Sequence, residues 1–291
     1  MQNLIKKISK LIPASEKEVK SNLKKYIGET VVIKYGGSAM VDPNLSNDFS
    51  INIKFLVDLG IKPIIVHGGG PQINEMLNKL KIKHNFFNGM RITNKETFRI
   101  VEMVLCGFIN KNISHNLSKK GVNSIGLSGL DSNTIIVNKY KKKRTSDPDL
   151  GLVGVPRKIN KGFLNSLISK KLVPVIAPIG SNNNGIKYNI NADLTAGFIA
   201  AEMRSRRLLM LTDVKGVIDN NQNLISELKL SEVNSLISNN VIYGGMIPKV
   251  KTCIDAVKRG IRASVIIDGR VKNVIIKELL SDKGIGTLFR K

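Results

Sequence analysis

The stretch Thr30-Val31-Val32-Ile33-Lys34-Tyr35-Gly36-Gly37 decides the reading of the whole chain. Three consecutive β-branched apolar residues ahead of a glycine pair make a strand buried on both faces and closed by a tight turn. Strands of that kind belong to parallel sheets with helices packed on either side. Lys34 ends the strand, at the sheet's carboxyl edge, where ligands bind in open α/β sheets.

Downstream the same grammar repeats. Residues 64–67 form an apolar run followed by Gly68-Gly69-Gly70, with Pro71 in the first helical turn where its missing N–H costs nothing. Residues 173–177 make another strand, leading through a flexible turn at 180–185 to Asn191, a natural cap for a helix running to about Met203. Residues 208–211 and 264–267 are further strands. Between them Gly244-Gly245 opens a helix with Pro248 near its start and Gly260 past its end. This alternation predicts a three-layer αβα sandwich around a central, mostly parallel sheet. Residues 140–144, followed by Asp147-Pro148-Asp149 and Gly151, carry too much charge and turn chemistry for a core and predict a protruding loop or hairpin.

Upstream, Leu4, Ile5, Ile8, Leu11 and Ile12 recur at helical spacing, Pro13 interrupts, and Ser15 with Glu18 forms a capping box for a second helical stretch carrying Val19 and Leu23. An amphipathic helical extension over residues 1–28 therefore precedes the first strand. It either folds back on its own core or meets another copy of the chain.

Composition bounds the function. At 291 residues the chain is long enough for one large or two apposed α/β lobes, and no apolar run approaches the roughly 18 residues of a membrane helix. The formal net charge of +24 favours anionic partners without naming them. Aromatic residues are only 5% of the chain and tryptophan is absent, which argues against a nucleic-acid surface of basic and stacking residues. The excess of lysine is spread along the chain, as AT-rich coding would produce. Cys106 and Cys253 fall in apolar helical patterns, with Val101, Val104, Leu105 and Phe108 and with Val250, Ile254 and Val257, and read as reduced core thiols. His67, His84 and His115 share no metal-ligand spacing, and no acidic cluster makes a protein-held metal cage.

The chemistry concentrates at three glycine-rich junctions, around Gly36-Gly37, Gly68-Gly69-Gly70 and Gly244-Gly245. Glycine lets backbone N–H groups approach anionic oxygens, and a following helix N-terminus adds its positive dipole end. The second junction lacks the last glycine of the dinucleotide fingerprint, and no phosphate-loop motif occurs, so neither of those nucleotide folds is indicated. Lys34 and Lys249 stand at two junctions, and phosphoryl transfer needs such positioned charges. Asp193, in a first helical turn, either holds both ammonium groups or serves the helix dipole. Arg91 has the planar fork that grips a carboxylate bidentately.

Six ordered stretches together are more specific than any one. Val-Val-Ile-Lys34-Tyr-Gly36-Gly37, Ile-Val-His-Gly68-Gly69-Gly70-Pro, Asn88-Gly-Met-Arg91-Ile-Thr, Tyr-Asn189-Ile-Asn191-Ala-Asp193, Leu-Thr-Asp213-Val-Lys-Gly216-Val and Gly244-Gly245-Met-Ile-Pro-Lys249-Val closely resemble the acetylglutamate kinase branch of the amino acid kinase family. The resemblance runs from about Thr30 to Phe289 and implies two lobes on one sheet, residues 29–195 holding the acetylated amino acid and 196–291 the nucleotide. It implies ATP-dependent phosphorylation of the γ-carboxylate of N-acetyl-L-glutamate in arginine biosynthesis, with Mg²⁺ arriving on the nucleotide. By matching motif, Lys34 and Lys249 would stabilise the transferring phosphoryl group and Asp193 would organise them. Gly69, Gly70, Arg91 and Asn189 would hold the acid, and Gly36, Gly37, Asp213 and Gly245 would line the nucleotide side.

The resemblance also extends to assembly and regulation. Arginine-inhibited members carry an N-terminal helix that interlaces dimers into a hexamer, a trimer of dimers, and both this extension and the end from Ile267 to Thr287 look similar. Asn22 stands where those members commonly have a tyrosine, and Leu130 replaces a frequent lysine. Some photosynthetic members bind the nitrogen-signalling protein PII. A kinase of acetyl-aminoadipate in lysine biosynthesis is the nearest alternative, since one methylene gives only about 1–3 kcal/mol of discrimination. A catalytically silent basic regulatory or RNA-binding protein of the same fold is the alternative from another class. Composition fits a plastid stroma, with a bacterial cytoplasm as the alternative, and neither nucleic acid nor membrane is expected as a partner.

Overall fold

Two helices, α1 (Gln2–Ser9) and α2 (Glu16–Leu23), lead into strand β1 (Thr30–Tyr35) in the computed structural model. The structure describes residues 1–142 and 144–291; Lys143, within the expected 140–144 hairpin, lies outside the described residues. Ile5, Ile8 and Ile12 are buried in one core with Val19 and Leu23, so the extension folds back on its own chain. Ser15 caps α2 by accepting from the Glu18 N–H at 3.2 Å, but only half of the capping box forms. The Glu18 carboxylate instead accepts from the Asp282 N–H at 2.5 Å, tying the extension to the C-terminal turn.

After β1 the chain runs through α3 (Pro43–Asp58), β2 (Lys62–His67), α4 (Gly70–Lys79), a ribbon of β3 (Phe86–Phe87) and β4 (Met90–Arg91), α5 (Lys95–Glu102), α6 (Asn110–Lys119) and β5 (Ser124–Ser128). There follow β6 (Ile135–Lys139), β7 (Val153–Ile159), α7 (Lys161–Ser169), β8 (Val173–Ala177), β9 (Ile179–Ser181), β10 (Lys187–Ile190) and α8 (Ala192–Glu202). The last part holds β11 (Arg207–Thr212), β12 (Glu227–Lys229), α9 (Val233–Ser238), α10 (Met246–Lys258), β13 (Ala263–Asp268), α11 (Val274–Leu280) and β14 (Thr287–Arg290). Eight strands form one sheet in the order β12-β14-β13-β11-β1-β2-β8-β5, parallel except where β14 meets β13.

The period-two alternation of strands divides the interior into two layers. Val31, Ile33 and Tyr35 enter a core built with α1 to α6 and α11, while Val32 enters the opposite core with α7 to α10. Lys34 shares the face of Val32 and so points toward the layer containing α8 and α10. The expected αβα sandwich is present.

Three features depart from the sequence reading. First, β6, β7, β9 and β10 close into a small four-stranded barrel beside the main sheet. Gly180 belongs to β9, where a Cβ would meet the Ile135 carbonyl oxygen at 2.6 Å; it permits a close strand approach, and the expected 180–185 turn begins only after Ser181. Second, β3 and β4 form a separate two-stranded ribbon. Third, residues Met103–Ile109 are π-helical, between α5 and α6. The wider turn shifts the helical register, so Phe108 is 62% exposed and Cys106 only half-buried, whereas Cys253 is the fully buried thiol expected.

Candidate active site

Four strand ends, β1, β2, β11 and β13, line up side by side and parallel at the carboxyl edge of the sheet. Lys34 reaches from the end of β1 to Asp193, with Nζ 3.2 Å from Oδ1. Lys249, in the first turn of α10, reaches the other oxygen, Oδ2, at 2.9 Å. One carboxylate thus joins two ammonium groups that lie 215 residues apart in the chain.

The local causes are readable. Asn191 caps α8, its Oδ1 accepting from the N–H groups of Asp193 and Leu194 at 2.8 and 3.2 Å, and this holds the first turn that carries Asp193. One turn further along, α8 and α10 meet where Gly197 faces Thr252; a Cβ on Gly197 would lie 2.5 Å from Thr252 Cγ2. Asp193 and Lys249 precede these contact residues by four and three positions, so they lie on the same helix faces and converge just above the crossing. Gly36 leaves room for the Lys34 ammonium, which a Cβ there would approach to 2.6 Å. Gly37, at φ +70°, lies so close to the Asp213 carboxylate that a Cβ would meet Oδ1 at 2.5 Å. Around Gly245 the space is open, as it is around Gly70.

Burial of Asp193 alone would push its carboxyl group up, but Lys34 and Lys249 outweigh this and hold it down at about 2. The site therefore carries two positive charges against one negative, at a place only 10 to 24% exposed on its side chains. That surplus is suited to an anion, and the pairing keeps both ammonium groups aimed.

A cavity of about 150 Å³ adjoins this triad, lined by the Gly68–70 turn, Leu105, Arg91, Asn189 and Asn191 among others. Arg91 is 5% exposed, lies over the Phe86 ring with 4.5 Å to its centroid, and donates from Nη2 to Asn74 Oδ1 at 2.6 Å. Its Nη1 is buried with no hydrogen-bond partner in the described structure. Burial lowers the guanidinium to about 10, which still leaves it charged at neutral pH. An unpaired charged donor in a buried pocket calls for an anionic acceptor, because a buried polar group without a partner costs about 1–3 kcal/mol. Asn189 is steadied by Thr93, to whose Oγ1 it donates at 3.3 Å, while Thr93 itself donates to the Arg91 carbonyl at 2.7 Å.

The structure thus gathers Lys34, Lys249 and Asp193 at one point, sets Gly69, Gly70, Arg91 and Asn189 around one cavity, and sets Gly37 against Asp213. Asn74, Phe86, Thr93, Gly197 and Thr252 were not singled out by the sequence; Asn74 meets Arg91, Thr93 meets Asn189 and Gly197 meets Thr252 across longer separations, while Phe86 meets Arg91 within the β3–β4 ribbon. Among the described residues no group of three or more His, Cys, Asp or Glu side chains could hold a metal ion.

Comparison with known proteins bears directly on this geometry. Residues 29–268 match the model of the amino acid kinase family. The acetylglutamate kinase of Ehrlichia ruminantium strain Gardel is 44% identical, with 98% of this chain and 89% of that protein aligned. That of Parvibaculum lavamentivorans is 47% identical over 92% of this chain and 91% of its own length. Among solved structures, the carbamate kinase of Giardia lamblia bound to AMP-PNP superposes with a TM-score of 0.70 at 20% identity, covering 91% of this chain and 99% of that one. N-acetylglutamate synthase of Neisseria gonorrhoeae superposes at 0.84 and 20% identity over 94% of this chain, which spans 62% of the synthase. Both structural likenesses concern the fold.

Proposed function

This chain belongs to the amino acid kinase family, and on that premise we propose that it transfers the γ-phosphoryl group of ATP to the γ-carboxylate of N-acetyl-L-glutamate, forming N-acetyl-L-glutamyl 5-phosphate in arginine biosynthesis. The observation that carries this reading is the pairing of Lys34 and Lys249 on the one carboxylate of Asp193, beside a pocket with an unsatisfied arginine.

The chemistry asks for little else. A γ-carboxylate with a pKa of about 4.3 is already ionised at neutral pH, so no general base is required. The barrier is electrostatic: an anionic nucleophile must approach an anionic phosphoryl group. Lys34 and Lys249 cancel that repulsion as charge spreads over the transferring oxygens, and Asp193 keeps their ammonium groups aimed. Arg91 takes the α-carboxylate through its free Nη1, with Asn189 and the Gly69–Gly70 backbone fixing the rest of the acid. Gly36, Gly37, Asp213 and Gly245 border the nucleotide. Mg²⁺ binds chiefly to substrate phosphates and takes one or two carboxylates from a protein, which Asp193 and Asp213 at this sheet edge could supply. When bound it neutralises phosphate charge.

Finer features complete the proposal. Arginine as an effector rests on the resemblance of the segment from Ile267 to Thr287; Asn22, in place of the usual tyrosine, donates to Asp282 in that segment at 2.8 Å. Assembly as a trimer of dimers would require α1 to exchange its intramolecular seat for the same seat on another copy. Docking of a PII-type protein is tested by co-elution with and without arginine. The relatives above are bacterial, which supports a bacterial cytoplasm over a plastid stroma.

The test is a hydroxylamine-trap assay with MgATP and N-acetylglutamate, glutamate, aspartate or N-acetylaminoadipate. N-acetylglutamate should give the highest kcat/KM, and Lys34→Ala should abolish turnover. Greater activity on another acid would overturn the substrate assignment.

A further inference from the structure

The reaction uses no histidine, yet His67 is wholly buried at the end of β2, directly before the Gly68–70 turn. Its Nδ1 lies 2.8 Å from the Gly68 carbonyl oxygen, and its Nε2 lies 3.1 Å from Asn110 Nδ2. A carbonyl oxygen can only accept, so Nδ1 carries the proton and Nε2 accepts from the amide. Burial lowers the imidazole to about 4, which keeps this neutral form at physiological pH.

Asn110 follows the π-helical turn and is itself buried. Its Nδ2 also lies within hydrogen-bond distance of the carbonyls of Leu127 on β5, at 3.2 Å, and Val175 on β8, at 2.9 Å. Its Oδ1 is buried without a partner, so the side chain binds through its nitrogen, whose two N–H groups are shared among the three acceptors. The same π-helical turn presses Leu105 and Ile109 against Gly69, where a Cβ would meet Ile109 Cδ1 at 2.4 Å. The imidazole, which Asn110 contacts, and the side chains of Leu105 and Ile109 thus both meet the Gly68–Gly69 peptide unit.

In a planar trans peptide the carbonyl and the following N–H point in opposite directions. Holding the Gly68 oxygen toward the imidazole therefore turns the Gly69 N–H away from it, and that N–H has no acceptor among the described residues. We propose that His67, oriented by Asn110, is a positioning residue that fixes the Gly68–Gly69 peptide so that the Gly69 N–H is presented to the anionic groups reacting in the cavity. This rests on the kinase reading above and assigns a role to a side chain that touches no substrate.

Asparagine places its amide near Nδ1 of histidine, and glutamine places its amide near Nε2. The test compares His67→Leu, His67→Asn and His67→Gln for kcat, for KM of N-acetylglutamate and for the crystal structure of each variant. His67→Leu and His67→Gln should lose about 10- to 100-fold in kcat, below or within the range found when a preorganised donor is removed, and KM for N-acetylglutamate should rise as well, since the Gly69 backbone also holds the acid. Their Gly68–Gly69 peptide should be rotated. His67→Asn should keep that peptide in place and recover most of the lost kcat. The proposal is overturned if His67→Leu or His67→Gln keeps the peptide unrotated, or if His67→Gln outperforms His67→Asn. Because peptide orientation is read without turnover, an enzyme inactive on N-acetylglutamate would refute the substrate assignment while still deciding the clamp; should His67→Leu not fold, His67→Gln decides alone.

Discussion

Replacing Asp193 by asparagine removes one charge and leaves the shape. In the folded protein the Asp193 carboxyl falls from 3.8 to about 2 because Lys34 and Lys249 outweigh its burial. Near 1.4 kcal/mol per pKa unit, that depression corresponds to roughly 2 kcal/mol of folding stability at neutral pH. The sign follows from the direction: a depressed carboxylate contributes fully above its unfolded value of 3.8, and the contribution disappears as pH falls toward 2. Asparagine can accept from one lysine with its oxygen, but its NH₂ group then faces the other ammonium, and two positive charges are left without a counter-ion. Thermal melts at pH 7 should show Asp193→Asn lower by about 4–8 °C, at roughly 2–4 °C per kcal/mol for chains of comparable length. The gap should close between pH 4 and pH 2. In the hydroxylamine assay kcat should fall about 100- to 1,000-fold, as when a preorganised donor is lost. A variant that retains kcat within threefold, or melts with the wild type at pH 7, would refute the assignment of Asp193 as organiser of the two lysines.

Other substitutions separate the parts of the site. Arg91→Lys keeps a charge but loses the fork, so KM for N-acetylglutamate should rise about 10- to 100-fold with little change in kcat, read from initial rates. Gly36→Ala would put a Cβ 2.6 Å from the Lys34 ammonium, the end of a flexible chain; kcat should drop at least about tenfold. Its melting temperature should fall by less than the roughly 4–8 °C expected for Asp193→Asn, because Lys249 stays paired with Asp193. Gly197→Ala forces α8 from α10 at Thr252 and should cost about 1–3 kcal/mol in denaturant unfolding, along with activity. Adding Thr252→Ser removes the clashing methyl and should restore both.

The sheet was legible because its strands are continuous apolar runs punctuated by glycine, and burial on both faces leaves no other reading for residues such as Val31, Val32 and Ile33. The helix caps at Ser15 and Asn191 were legible for the same local reason: their oxygens satisfy nearby N–H groups. Lys34, Asp193 and Lys249 could be singled out from position at helix and strand ends, but whether Asp193 served its own helix or both lysines depended on the α8–α10 crossing at Gly197 and Thr252. That is a tertiary contact with no local trace. The π-helical turn at Met103–Ile109 was hidden because it differs from an α-helix by a single inserted residue, which the apolar spacing of Val101, Val104 and Leu105 does not reveal. The barrel was missed because β9 and β10 are only three and four residues long, and Gly180 imitates a turn.

The direct test of two ammonium groups acting on one migrating phosphoryl group is a crystal structure with MgADP, aluminium fluoride as the phosphoryl mimic, and N-acetylglutamate. Convergence predicts Lys34 Nζ and Lys249 Nζ both within hydrogen-bond distance, about 3 Å, of the mimic, with Asp193 still between them. A mimic bound elsewhere, or reached by only one of the two lysines, would contradict it.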